Sequence, residues 1–256
     1  MKLALLQMDV RWEDRPANLR RAAALMEEAA GGGAALAVLP EMFSTGFSMD
    51  ADKAAEAEDG ETAAFLSATA RRLGMGVIGG FAARPRGGGM ARNLAAVYDG
   101  RGRLVASYAK LHPFSPAGEH LHYAPGEGAS VFEVQGLRAS VFICYDLRFP
   151  EAFRAVAREV QAVFVIANWP ASRSGHWEAL LRARAIENQC FVAGVNRAGT
   201  DGNGIVYHGG SRLYGPSGEE VCALGEAEEC RVVEIDPDEV GRARERFPFL
   251  RDMRLS

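Results

Sequence analysis

Short apolar runs punctuated by charge or glycine recur along the chain, and they carry two periods. Alternating or unbroken apolar runs predict strands at 2–10, 35–39, 75–81, 93–98, 104–108, 130–134, 137–143, 162–167 and 190–195, with shorter ones at 211–213, 220–224 and 231–235. Helical spacing predicts helices over 18–30, 62–73, 151–158, 176–189 and 237–247. In the first of these, Leu19, Ala22, Ala23, Met26 and Ala30 share one face, and in the fourth Trp177, Leu180, Leu181 and Ile186 are the expected core residues. Asp99-Gly100-Arg101-Gly102 predicts a hairpin, and Gln135-Gly136 and Pro216-Ser217-Gly218 predict turns. The segments 50–61, 84–92, 115–128 and 196–210 read as connections, the first acidic and solvated, the last glycine-rich and polar. Strands alternate with helices in 2–81 and again in 137–195, with hairpins between and after. That order predicts an α/β fold with mixed sheets covered by helices. No shift of composition divides the chain, so one domain over 1–256 is expected, with a tail from about 248.

Composition narrows the function classes. The 256 residues suffice to bury a core without disulfides or a structural metal. A net charge of −4 offers no basic field for nucleic acid. The hydrophobic fraction is 48%, but charge and glycine interrupt it everywhere, so no membrane span is expected. MKLALLQMDV reads as a first strand rather than a signal peptide. The four cysteines (Cys144, Cys190, Cys222, Cys230) are far apart and lack metal-type spacing, which predicts a reduced, cytoplasmic protein. The glycine triplet at 31–33 is followed by no Gly-Lys-Ser/Thr, so it reads as a helix stop rather than a phosphate loop. His120 and His122 have no third ligand at useful spacing, and no metal or other cofactor is expected.

Three residues change the picture further. The run 139–143 (ASVFI) ends at Cys144, and Tyr145, Asp146, Arg148 and Pro150 follow at once. This predicts a strand, a sharp turn and a helix, with a thiol at the corner and a helix N-terminus nearby to favour the thiolate. A buried structural thiol is the competing reading. Glu41 follows the second predicted strand among Met42, Phe43 and Phe47, an apolar setting that would raise a carboxyl pKa and suit a general base. Lys110 follows the strand 104–108. All three therefore fall where open α/β sheets place ligand crevices. A carboxylate, an ammonium and a thiol meeting there would make a nucleophilic site, with the Tyr145 N–H as a second oxyanion donor beside Lys110.

The blocks LPEMF (39–43), YAKLHPF (108–114) and ICYDLRFPE (143–151), in that order and spacing, resemble the three signature blocks of the nitrilase, or carbon–nitrogen hydrolase, superfamily. The likeness runs from Met1 to about Phe249. It implies a four-layer α-β-β-α sandwich, a Glu41–Lys110–Cys144 triad, and Glu119 as a second glutamate supporting Lys110 or the attacking water. It also implies a homodimer or larger homo-oligomer. ANWPASRSGHWEALLRARAIENQ (167–189) and GVNRAGTDGNG (194–204) are similar to the bacterial ω-amidase branch, which implies a small ω-amide of a dicarboxylate, such as 2-oxoglutaramate or 2-oxosuccinamate, as substrate. For such a ligand Phe43, Phe114 and Trp169 are candidate walls and Arg173 a candidate carboxylate clamp. Arg148 competes with Arg173, although an ion pair with Asp146 or Glu151 is the favoured reading of Arg148. Alternative functions are a nitrilase or N-carbamoyl amidase on the same triad, a thiol redox protein, and a non-enzymatic protein that binds a small amide.

Overall fold

A computed structural model describes residues 1–254. The strands are β1 (Lys2–Gln7), β2 (Leu36–Val38), β3 (Glu56–Ala57), β4 (Gly76–Arg84), β5 (Arg92–Tyr98), β6 (Leu104–Ala109), β7 (Phe132–Val134), β8 (Leu137–Ile143), β9 (Ala162–Ala167), β10 (Phe191–Asn196), β11 (Ala198–Thr200), β12 (Val206–His208), β13 (Arg212–Tyr214), β14 (Glu220–Ala223) and β15 (Glu229–Glu234). The helices are α1 (Arg15–Gly31), α2 (Ala51–Ala54), α3 (Glu61–Leu73), α4 (Pro150–Val156), α5 (Ser174–Asn188) and α6 (Asp238–Arg246).

Two large sheets form. One runs β15-β1-β2-β4-β5-β6 with β3 beside β4, and the other runs β14-β13-β10-β9-β8-β7. Each has parallel strands at its centre, β1, β2 and β4 in the first and β8, β9 and β10 in the second, with antiparallel strands at its flanks. Strand alternation places the two faces of the first sheet in different cores. Leu3, Leu5, Leu36, Val38 and Ile78 join Val141, Ile143, Phe164 and Ile166 of the second sheet. Ala4, Leu6, Ala37 and Val77 instead meet Leu19, Ala22, Leu25 and Met26 of α1 and Leu66 and Ala70 of α3. The outer side of the second sheet is covered by α4 and α5 through Phe153, Val156, Trp177 and Leu181. The result is the expected α-β-β-α order, with each Leu, Ile or Phe buried between layers contributing about 1.5–3 kcal/mol.

Local chemistry sets the element ends. Asp14 caps α1 by accepting from Ala17 N at 3.0 Å, and Pro16 sits in its first turn, where a missing N–H leaves nothing unpaired. Gly74 ends α3 in the left-handed conformation, φ +64°.

The connections are more structured than the sequence predicts. Segment 50–61 forms α2 and β3, the latter paired with β4 through Glu56 and Ala57. Segment 196–210 folds into the hairpin β11–β12. The expected tail makes a 3₁₀ turn, Phe249–Arg251, with Leu250 buried; its last two residues lie outside the described ones. Ile186, expected in the core, is 44% exposed. Among the described residues no helix is long and apolar enough to cross a membrane.

Candidate active site

The C-terminal ends of β2, β6, β8 and β9 converge on one buried polar cluster. Beyond β2 the chain turns at Pro40-Glu41, and Met42 is forced to φ +44°. Gly80 on β4 permits this turn: a Cβ there would meet Glu41 Cα at 2.8 Å and the Ile166 side chain at 2.7 Å. The turn is tied to β4 by Phe43 N donating to Gly80 O at 2.9 Å.

Glu41 is fully buried and every oxygen is engaged. Its Oε1 accepts from Lys110 Nζ at 2.9 Å and Asn93 Nδ2 at 2.7 Å, and its Oε2 accepts from Asn168 N at 2.8 Å and Asn168 Nδ2 at 3.2 Å. Lys110, 1% exposed, also donates to Glu119 Oε2 at 2.8 Å. Glu119 is itself fully buried, and it accepts from Asn93 Nδ2 at 2.9 Å and Phe114 N at 2.5 Å. One ammonium thus faces two carboxylates. His120 and His122, beside Glu119 in the chain, are exposed.

Cys144 stands at the end of β8 with φ +48°, a left-handed conformation that a non-glycine residue holds only when its surroundings impose it. A 3₁₀ turn, Cys144–Arg148, follows directly and runs into α4 at Pro150. Asp146, fully buried, braces that corner. It accepts from Ile143 N at 3.0 Å and Tyr108 Oη at 2.7 Å through Oδ2, and from His112 N at 2.9 Å through Oδ1. Since Tyr108 and His112 flank Lys110, Asp146 locks the lysine strand to the cysteine turn. The His112 ring stacks on Phe149 at 3.7 Å. The Cys144 thiol lies 3.8 Å from Asn168 O, so Asn168 touches both Cys144 and Glu41.

Two electrostatic expectations are reversed. Burial pushes the Glu41 carboxyl up, but Lys110, Asn168 and Asn93 outweigh it and hold the group below the ordinary carboxylate range. The apolar neighbours do not decide its charge, because its oxygens point at donors. Burial, together with the Glu41 charge, pushes the Cys144 thiol well above its ordinary value, and Lys110 does not compensate. The resting pair is therefore a neutral thiol beside a charged carboxylate. For Lys110 burial acts downward, yet Glu119 and Glu41 raise it well above the usual ammonium range.

Cys144 opens onto a cavity of about 280 Å³ lined by Phe47, Met49, Phe114, Tyr145, Trp169 and the hairpin residues Asp201, Asn203, Ile205 and Tyr207, among others. Arg148 and Arg173 line it too. Of the expected walls, Phe114 and Trp169 are in place. Phe43 is not: it is fully buried under α3, 6.4 Å from the Phe65 ring, and Phe47 faces the cavity instead. Met42 has taken the left-handed turn, which swings the next side chain into the core.

Arg148 makes no ion pair with Asp146 or Glu151. Its guanidinium lies 4.8 Å over the Trp169 ring and 3.3 Å from His176 Nδ1. Arg173 lies 5.5 Å over the Phe114 ring, with its backbone oxygen accepting from Trp169 Nε1 at 2.8 Å. Among the described residues neither guanidinium has a carboxylate partner, so the cavity presents two available cations. Asp201 lines the cavity as well and is held by its own hairpin. Its Oδ1 accepts from Asn203 N and Ile205 N, both at 2.9 Å, and its Oδ2 accepts from Tyr207 Oη at 2.9 Å.

The residues that sequence reasoning missed are Asn93, Asn168 and Asp146. Asp146 and Asn168 lie inside blocks that the sequence singled out, and Asn93 opens a predicted strand. Their roles were missed because the partners that define them, Glu41, Tyr108, Lys110 and Glu119, come from distant parts of the chain.

Comparison with known proteins places this chain among amide-cleaving enzymes. A family model described as carbon-nitrogen hydrolase matches residues 2–245. Omega-amidase YafV of Escherichia coli strain K12 is 39% identical over 253 residues, 98% of this chain and 96% of that protein. The 2-oxoglutaramate amidase of Bacillus subtilis strain 168 is 34% identical over 255 residues, covering 98% of this chain and 97% of its own. XC1258 from Xanthomonas campestris, a CN-hydrolase superfamily protein whose crystal structure holds an arsenic adduct in the active site, superposes with a TM-score of 0.94 at 37% identity, covering 100% of this chain and 98% of the other.

Proposed function

The chain belongs to the carbon–nitrogen hydrolase family, and on that premise we propose that it hydrolyses the terminal amide of a small ω-amide dicarboxylate, of the 2-oxoglutaramate or 2-oxosuccinamate type, to a carboxylate and ammonia through a thioester on Cys144. The observation that carries this reading is one ammonium held by two buried carboxylates, beneath a strained cysteine turn that opens to a cavity with two available guanidiniums.

In this reading Cys144 Sγ attacks the amide carbon as its proton passes to Glu41. At rest that transfer is uphill, because the thiol is raised and the carboxyl lowered. It becomes favourable as negative charge moves to the substrate oxygen, where the Lys110 ammonium and the Tyr145 N–H stabilise it. Attack and proton transfer are therefore coupled. The tetrahedral species collapses, Glu41 returns the proton to the departing nitrogen, and ammonia leaves. A water deprotonated by Glu41 then attacks the thioester and regenerates the thiol. Glu119 keeps Lys110 charged and in place throughout.

Arg173 takes the distal carboxylate, since its side chain makes no hydrogen bond among the described residues, and Arg148, shared with His176, assists. Asp201 also lines the cavity, but its oxygens are held by Asn203 N, Ile205 N and Tyr207 Oη of its own hairpin, so the two guanidiniums outnumber the one carboxylate and an anionic 2-oxo acid amide suits the cavity. A reducing, cytoplasmic setting suits the four free thiols. Self-association through the helical face bearing Ile186, into a homodimer or larger assembly, completes the proposal.

The test is ammonia release from 2-oxoglutaramate, 2-oxosuccinamate, glutamine, an aliphatic nitrile and an N-carbamoyl amino acid. The oxo-amides should be turned over fastest. Preference for the nitrile or the carbamoyl compound would sink the substrate assignment and leave the triad standing.

A further inference from the structure

We propose that Asn93 is a positioning residue of this reaction: its one NH2 group, shared between Glu41 and Glu119, keeps both carboxylates turned onto the Lys110 ammonium. The inference rests on the reading of Glu41, Lys110 and Cys144 as the reacting groups.

Asn93 lies on β5, beside β6, whose end directly precedes Lys110, and is 1% exposed. Its Nδ2 is 2.7 Å from Glu41 Oε1 and 2.9 Å from Glu119 Oε1, one hydrogen for each carboxylate. Its own carbonyl oxygen accepts from Lys110 N at 2.9 Å, so one residue also fixes the lysine backbone. Lys110 Nζ then meets the same Glu41 Oε1, and the other oxygen of Glu119, at 2.9 and 2.8 Å. Two like charges converging on one cation would swing apart without a donor between them. A carboxamide bridges them at zero added charge. Aspartate would bring a third anion, and leucine would strip both carboxylates of a donor.

The other end of the amide supports this reading. Asn93 Oδ1 is buried and has no hydrogen-bond partner among the described residues. An orphaned buried acceptor is a standing penalty, which packing alone would remove by choosing an apolar residue of similar volume. The amide is therefore retained for what its nitrogen donates.

Asn93→Ser and Asn93→Asp, compared with wild type and Cys144→Ala, provide the test. Steady-state kinetics on 2-oxoglutaramate across pH should show kcat reduced about 10- to 100-fold, with KM within about twofold. In Asn93→Ser the acid limb of kcat/KM should move up by about one pH unit, because Glu41 has lost a donor that favours its charged form. Glu41 itself, followed by 13C NMR of glutamate-labelled protein with Glu41→Gln as the assignment reference, should titrate higher by a similar amount. A lowered Tm with an unmoved acid limb and unmoved Glu41 titration would make Asn93 structural and overturn the proposal. So would an effect on KM alone, or failure of both variants to fold. Wild type that releases no ammonia from any amide would instead remove the proposed function, and the Glu41 titration would still decide the role of Asn93.

Discussion

The floor and the walls of the cavity are built on opposite principles. The floor is Cys144 and Asn168 backed by a closed set of charges, Glu41, Lys110 and Glu119, held by Asn93 and Asn168 on strand ends from both sheets, and almost none of that set touches solvent. The walls are Arg148 and Arg173 laid over Trp169 and Phe114, with the β11–β12 hairpin closing one side. The floor satisfies its own charges, so any change there leaves a buried ion without a partner. The walls keep theirs available, so a change there removes a contact that only a ligand would make. The contrast assigns turnover to the floor and recognition to the walls.

The strongest attack on that division is Cys144→Ala. It should reduce kcat by at least about 10⁴-fold while leaving Tm within a few degrees, measured by ammonia release and calorimetry. Retained turnover would end the thioester proposal.

Next is Lys110→Met, expected to lower kcat by roughly 10³-fold or more and to destabilise the fold by about 3–5 kcal/mol in urea titration at neutral pH, because two carboxylates stay buried without their cation. The sign of the pH dependence is fixed. In wild type the depressed Glu41 carboxyl contributes stability that is full above the ordinary value of 4.5 and is lost as pH falls through its lower native value. The stability gap between wild type and Lys110→Met should therefore narrow in acid below about pH 4.5.

Glu119→Gln sharpens the comparison through two readouts of opposite sign. It should reduce kcat about 10- to 100-fold as Lys110 loses a partner. Yet it should speed iodoacetamide alkylation of Cys144 at a fixed pH near 8, since one of the charges that raise the thiol is gone. Unchanged alkylation would remove the Glu119 charge from the account of the thiol.

The smallest expected effect on turnover is at the walls. Arg173→Met should raise KM for 2-oxoglutaramate about 10- to 100-fold with kcat within about threefold, and Arg148→Met should raise it less. If either arginine variant instead lowered kcat at unchanged KM, floor and walls would not divide the work.

How much of this was legible beforehand depends on how local each signal is. Glu41, Lys110 and Cys144 are each announced by an apolar run that stops at a polar residue, and mixed sheets covered by helices follow from the same runs, whereas the four-layer stacking of two sheets came from the resemblance of the three blocks. Phe43 misled because one left-handed residue, Met42, reverses which side the following side chain faces, and sequence spacing carries no record of that turn. Arg148 misled because charge pairing along a chain says nothing about an aromatic ring 21 positions later that lies beneath it.

The amino-acid sequence alone determined where strands end and which reactive groups sit at those ends, since a strand's side-chain period and its terminating residues are properties of a few neighbours. Tertiary structure alone decided the charge states and the supporting donors. Asn93, Asp146 and Asn168 reach residues as far as 52, 38 and 127 positions away through side-chain hydrogen bonds. A carboxylate's or thiol's proton affinity depends on the ions and dipoles within a few ångströms in space, and only the folded chain brings those together.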